Sequence, residues 1–171
     1  MPPDISNADF SDRSLAVRIA IDADVSAITP LINEAFVVER PIFDHDRIDD
    51  NGVRDYMTKG KFLLHEDGEG KLIACVYLEM TGDGRCYLGL LSIAPGQQGT
   101  GLGRRMLAES EKFAREGGCH TMWLRTLSAR VPPLRPYYER LGFRLLEIVP
   151  LPAVFHPRVT CEFVVMEKRL A

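Results

Sequence analysis

No two of the four cysteines, Cys75, Cys86, Cys119 and Cys161, form a C-x-x-C pair, and 171 residues are enough to fold without covalent staples. Reduced core thiols follow, and a disulfide framework or a thiolate zinc site does not. Metal-ligand spacing is equally missing from the four histidines, His45, His65, His120 and His156, which read as structural or solvent-facing, and no metal is expected. There is no excess of positive charge either. Lys and Arg number 21 against 24 Asp and Glu, a net charge of -3, which excludes a generic nucleic-acid footprint. No apolar run approaches the roughly 18 residues that cross a bilayer, and Met1 to Ser14 is polar and acidic where an export leader would be basic and then apolar. The expectation is a cytoplasmic protein that binds neither membrane nor nucleic acid, with residues 1–14 a flexible N-terminal segment.

What is present suits one well-buried core. With 46% hydrophobic residues and no repeat, low-complexity tract or linker, residues 1–171 read as a single domain. Alternation predicts a strand over Ala16 to Ile21, and Asp22 then caps a run in which Val25, Ile28, Leu31, Ile32 and Phe36 recur at helical spacing, with Pro30 awkwardly inside. A short second helix is expected around Val53 to Thr58. Lys61 to His65, Lys71 to Met80 and Arg85 to Ile93 form an antiparallel meander joined by glycine-bearing turns. Leu102, Met106, Leu107, Phe113 and Ala114 make a helical stripe that Gly117-Gly118 terminates. A strand over His120 to Leu127, a short helix over Pro133 to Leu141 and strands over Phe143 to Ile148 and Thr160 to Lys168 complete the order βααβββαβαββ.

The segment between the third meander strand and the striped helix carries the chemistry. In Gln98-Gly99-Thr100-Gly101-Leu102-Gly103, three glycines at alternate positions remove side chains where a ligand would approach the main chain, and the helix start offers unpaired N–H groups and a positive dipole end. Helix starts ordinarily favour acidic residues. Here Arg104 and Arg105 occupy the first turn, an arrangement that an anion nearby would stabilise. The pattern G-x-G-x-G is not the dinucleotide fingerprint G-x-G-x-x-G, the following strand brings no ribose-binding carboxylate, and the Walker Gly-Lys-Ser/Thr is missing. A nicotinamide-dependent oxidoreductase is thereby disfavoured.

Leu91-Ser92-Ile93-Ala94-Pro95, then Gln98 to Gly103, then Tyr138-Glu139-Arg140-Leu141-Gly142-Phe143 together resemble the GNAT superfamily of acetyl-CoA-dependent N-acetyltransferases. The glycine block fits the family's Q/R-x-x-G-x-G/A motif at every specified position, and the last block fits its Tyr-x-x-x-Gly-Phe pattern. The resemblance implies an α/β (α+β) fold whose central sheet is mixed and mostly antiparallel, flanked by helices, with a V-shaped gap between the strands at 87–93 and 120–127. It implies acetyl-CoA as cosubstrate. The pantetheine arm would add along Leu91, Ser92 and Ile93, and the pyrophosphate would lie on Gln98, Gly99, Thr100, Gly101, Leu102, Gly103 and Arg104. The backbone N–H of Ile93 would stabilise the oxyanion and Tyr138, with Tyr137 as competing hydroxyl, would protonate the leaving thiolate.

The implied function is acetyl transfer directly to a primary amine of a small molecule or peptide, the alternative being a non-catalytic acyl-CoA-binding module of the same fold. A homodimer is a family-based expectation. Two departures from the family stand out. The strand containing Tyr87 offers Cys86 and Tyr87 but no carboxylate or imidazole, which leaves the base unassigned; and Val131 stands where many members have a pantetheine-contacting asparagine, with Ser128 the nearest replacement. The acceptor site is expected in segments 37–50 and 148–159. There the carboxylates Asp44, Asp46, Asp49 and Asp50 would suit a cationic acceptor.

Overall fold

The computed structural model describes residues 14–171, so all of the proposed N-terminal flexible segment except Ser14 lies outside the described residues. Ser14 itself is tethered: its hydroxyl and the N–H of Leu15 both donate to the Glu109 carboxylate. The elements are β1 (Arg18–Ile19), α1 (Val25–Ala35), α2 (Asp50–Lys59), β2 (Lys61–Glu66), β3 (Leu72–Met80), β4 (Arg85–Ile93), α3 (Leu102–Glu116), β5 (Thr121–Leu127), α4 (Arg135–Arg140), β6 (Arg144–Pro150) and β7 (Glu162–Arg169). This is the expected order βααβββαβαββ. The strands join in one sheet, β1-β2-β3-β4-β5-β7-β6, in which only β4 and β5 are parallel neighbours.

Each face of the sheet is covered because the strand pattern alternates. On β3, Ala74, Val76 and Leu78 face a cluster shared with Leu102, Met106 and Leu107 of α3, while Cys75 and Tyr77 face the other, shared with Val25, Ile28 and Ile32 of α1. Burial of each such aliphatic side chain stabilises the fold by about 1.5–3 kcal/mol. All four cysteines are free and buried, as expected of core thiols. Desolvation pushes the thiols of Cys75 and Cys86 up to about 12, which leaves them unreactive.

Local signals misplaced some boundaries. Asp22 is not the cap of α1. It opens a 3-10 turn, and it is Asp24 whose carboxylate accepts from the Ile21 N–H at 2.7 Å and pairs with Arg18 at 2.8 Å. α2 begins three residues earlier than its apolar pattern, because Asp49 caps it by accepting from the Gly52 N–H at 2.7 Å.

One irregularity positions the site. Along β4, Gly89 pairs with Tyr77 and Ser92 with Cys75, so Leu90 and Leu91 together oppose the single residue Val76. Leu90 takes a left-handed backbone conformation (φ +51°) to do so, at a cost of about 1–2 kcal/mol. Just before the bulge β4 leaves β5: the parallel pairing stops after Arg85↔Thr121, Cys86↔Met122 and Tyr87↔Trp123.

Candidate active site

Where β4 and β5 part, a cavity of about 450 Å³ opens. Leu91, Ile93, Gln98, Gly103, Tyr137 and Tyr138 line one end of it. Ile93 stands opposite Ala74, but the ladder bond in this register runs from the Ala94 N–H to the Ile73 carbonyl at 2.8 Å. Ile93 is therefore in a non-hydrogen-bonded pair, and its own N–H and C=O point away from β3 toward the gap. Its carbonyl accepts from the Gln98 side-chain amide at 3.3 Å.

Below this edge lies the start of α3. Gly101 caps the helix in the left-handed region (φ +83°), and no neighbouring atom lies within 4 Å of where a Cβ would sit, so glycine serves the backbone here and leaves open space in front of it. The first intrahelical bond runs from the Arg105 N–H to the Gly101 carbonyl at 3.1 Å. The N–H groups of Leu102, Gly103 and Arg104 precede it and have no helical acceptor. Thr100 turns its hydroxyl onto the Gln97 carbonyl at 2.6 Å, and Leu102 sends its side chain into the core. Ser92 is fully buried, its hydroxyl donating to the Leu90 carbonyl at 2.9 Å, so only its main chain belongs to the edge.

The two tyrosines of α4 divide the space. A Cβ placed on Gly103 would lie 3.4 Å from the Tyr137 hydroxyl, which sets that group over the start of α3. Tyr138, only 6% exposed, packs edge-on against Phe143, ring centroids 5.6 Å apart. Burial raises the pKa of both hydroxyls, and for Tyr138 the neighbouring Tyr137 raises it further, while Arg130 and Arg104 work in the opposite direction on Tyr138 and Tyr137 respectively. Tyr138 stays protonated throughout the neutral range.

Ser128 does not reach the cavity. Its hydroxyl accepts from the Glu162 N–H at 2.8 Å and so ties the loop after β5 to β7. Arg130, two residues on, lines the cavity instead, and its buried Nε has no hydrogen-bond partner. Sequence patterns gave no signal for Arg130, since an arginine in a polar loop is ordinary until the loop folds over a cavity.

The other end is walled by Phe36, Phe43, Leu151, Phe155 and Phe163, with Glu39 and Tyr87 among them. Segments 37–50 and 148–159 meet here; the Arg158 N–H donates to the Ile42 carbonyl at 2.8 Å, and the Arg158 side chain pairs with Asp44. Arg125 lies 4.3 Å above the Phe163 ring and 5.9 Å from that of Tyr87. His45 also lines the cavity.

The carboxylate cluster is not part of that wall. Asp44 is paired with Arg158 and Asp46 with Arg40, Asp49 caps α2, and Asp50 accepts from the Thr29 hydroxyl at 2.5 Å. None of the four lines the cavity. What the sequence did not single out is Glu39, at the end of a 3-10 turn (Val37–Glu39), 7% exposed and facing the same space.

The acetyltransferase (GNAT) family matches residues 25–143, well over half of the chain. The protein is a member of the GNAT family. Among individual relatives, streptothricin acetyltransferase of Streptomyces lavendulae is 36% identical over 53 residues, 31% of this chain and 28% of that one. Mycothiol acetyltransferase of Beutenbergia cavernae is 31% identical over 84 residues, 48% of this chain and 27% of that one. The chain spans just over a quarter of the length of these curated relatives. Its fold extends further: the crystal structure of ribosomal-protein-alanine N-acetyltransferase from Brucella melitensis superposes with a TM-score of 0.71 at 21% identity, covering 91% of this chain and 100% of that one.

GNAT enzymes use acetyl-CoA as cosubstrate. An edge left free where β4 parts from β5, N–H groups without helical acceptors and glycines that keep side chains out of the way fit a ligand with amides at one end and a pyrophosphate at the other. No helix among the described residues is long and apolar enough to cross a membrane.

Proposed function

We propose that this GNAT protein is an N-acetyltransferase that moves the acetyl group of acetyl-CoA directly to a primary amine. The observation that carries the reading is the parting of β4 from β5 directly above the start of α3, with the Tyr138 hydroxyl at the junction. Acetyl-CoA supplies the thioester and its thiolate leaving group. Leu91 and Ile93 hold the pantetheine amides, and Arg130 takes the place of the asparagine that other members use. Gln98 to Arg104 present the N–H groups and positive charge for the pyrophosphate. The Ile93 N–H donates to the oxyanion.

Tyr138 donates its proton to the departing sulfur. A tyrosine that burial keeps protonated is a weaker acid than a thiol of pKa about 8.5, so its proton moves only as negative charge develops on sulfur.

An aromatic-walled cavity of about 450 Å³ favours a small-molecule acceptor, in keeping with the names of streptothricin and mycothiol acetyltransferase, over the ribosomal-protein alanine named for the Brucella enzyme. The matching physical state is a single-domain cytoplasmic homodimer, checked by light scattering. The decisive test pairs calorimetry with acetyl-CoA and a thiol-release assay over a panel of streptothricin, polyamines, amino acids, arylalkylamines and peptide N-termini. Acetyl-CoA binding together with amine-dependent thiol release is expected. Binding without release from any amine would support an acyl-CoA-binding module instead.

A further inference from the structure

The proposed transfer lacks a proton acceptor on β4, and one unexplained group faces the cavity from outside the sheet. Glu39 is held by its own main chain: its N–H donates to the Phe36 carbonyl at 2.9 Å, and its carbonyl accepts from the Ile42 and Phe43 N–H groups at 2.8 and 3.0 Å. Its side chain lines the cavity together with Phe36 and Phe43. Its Oε2 is buried and accepts no hydrogen bond. The nearest cation, Arg47 Nε, is 4.0 Å away, too far for one.

A buried carboxylate oxygen without a donor is costly and calls for a partner. We propose that Glu39 binds the acceptor's ammonium and takes its proton, and that the acceptor is a primary alkylamine carried on an apolar, ring-bearing body. The aromatic walls on either side would take the ring. The proton step rests on the acetyltransferase reading above; the ammonium-binding site does not.

Glu39 removes one proton from the ammonium and releases it to water. The freed nitrogen lone pair forms the C–N bond, the C–S electron pair leaves with sulfur, and sulfur takes the Tyr138 proton. The second proton lost by nitrogen as the amide forms returns to the tyrosinate. Placement supports this division of labour, since Glu39, Arg130 and Tyr138 line the same cavity.

Burial raises the pKa of Glu39, with Arg47 and Arg130 opposing. His45 and Arg47 flank it on the cavity side, and Arg40 and Asp46, paired with each other, close its outer side. A base of raised pKa loses activity as pH falls through that value, so the acid limb of kcat/KM should belong to Glu39.

Phenethylamine serves as the probe, with phenethyl alcohol as its uncharged control and Glu39→Gln as an isosteric variant. NMR titration of the protein is expected to show phenethylamine binding at least about tenfold weaker in Glu39→Gln, with phenethyl alcohol unchanged and Glu39→Asp restoring part of the loss. With acetyl-CoA present, the acid limb of the phenethylamine rate should leave the range of Glu39 and move up to that of the free amine itself, roughly pH 10, in Glu39→Gln while calorimetric acetyl-CoA affinity stays the same. Equal phenethylamine affinity in wild type and Glu39→Gln, no binding by the folded wild type, or an acid limb unaltered by the substitution overturns the assignment. Failure of wild type to bind acetyl-CoA would instead overturn the transferase reading and leave the ammonium titration to judge Glu39 alone.

Discussion

The two ends of the cavity are made of different material. At the α3 end, the recognition proposed above comes from the main chain: the outward N–H of Ile93, the leading N–H groups of the helix and a left-handed glycine that no side chain replaces easily. At the far end it comes from side chains alone, a set of phenylalanines around Glu39, brought in by two segments distant in sequence. Backbone groups are the same in every residue and can be aimed only by bending the chain. A site made of them suits a ligand that does not change, whereas one made of side chains can be rewritten for a new acceptor without disturbing the sheet.

The largest effect should come from the residue that joins the two ends. Tyr138→Phe keeps the ring against Phe143 but removes the proton, and kcat should fall on the order of 10²-fold with acetyl-CoA affinity unchanged. Tyr137→Phe should alter kcat only a few-fold. The opposite ranking, measured under saturating acetyl-CoA, would transfer the acid role to the hydroxyl above Gly103.

Breaking the main-chain end should harm binding before chemistry. Gly101→Asp forces a side-chain-bearing residue into a left-handed conformation and sets a negative charge before the helix start. Calorimetry should record acetyl-CoA affinity at least about tenfold lower, or about 1.4 kcal/mol. Equal affinities in two folded proteins would remove the phosphates from this loop.

The side-chain end should betray itself in stability. Because the folded-state pKa of Glu39 is raised above its unfolded value, its contribution to stability is fully present below the unfolded pKa and is lost as pH rises through the folded one. Glu39→Gln should therefore have the higher Tm at pH 7–8, with the advantage shrinking toward pH 4. A Tm difference independent of pH would show that the carboxylate is not held at a desolvation cost.

The smallest effects are expected at the acidic cluster beside that end. Asp44→Asn and Asp46→Asn each remove one exposed ion pair, so stability should change by about 0–1 kcal/mol and kcat/KM for any acceptor by less than about twofold. A large loss confined to cationic acceptors would restore these carboxylates to the acceptor site.

Much of this was legible in one dimension. Period-2 runs marked β2, β3 and β4, a 3.6-residue stripe marked α3, and glycines at alternate positions marked the turn into α3, because each signal is local and repeats within a few residues. The acidic cluster misled for the same reason. Four carboxylates close in sequence suggest a shared charge, but capping α2, pairing with Arg158 and Arg40 and accepting from Thr29 disperse them.

By itself the sequence determined the element order, the glycine-bearing helix start and the Tyr-x-x-x-Gly-Phe block, since hydrophobic period and backbone conformation are written into neighbouring residues. The tertiary structure alone decided that β4 would bulge at Leu90 and part from β5, that Arg130 and not Ser128 would face the opening, and that Glu39 would be buried there without a hydrogen-bond partner. Burial and convergence depend on what lies across the fold, and desolvation is what turns an ordinary glutamate in a short turn into a group poised to receive an ammonium.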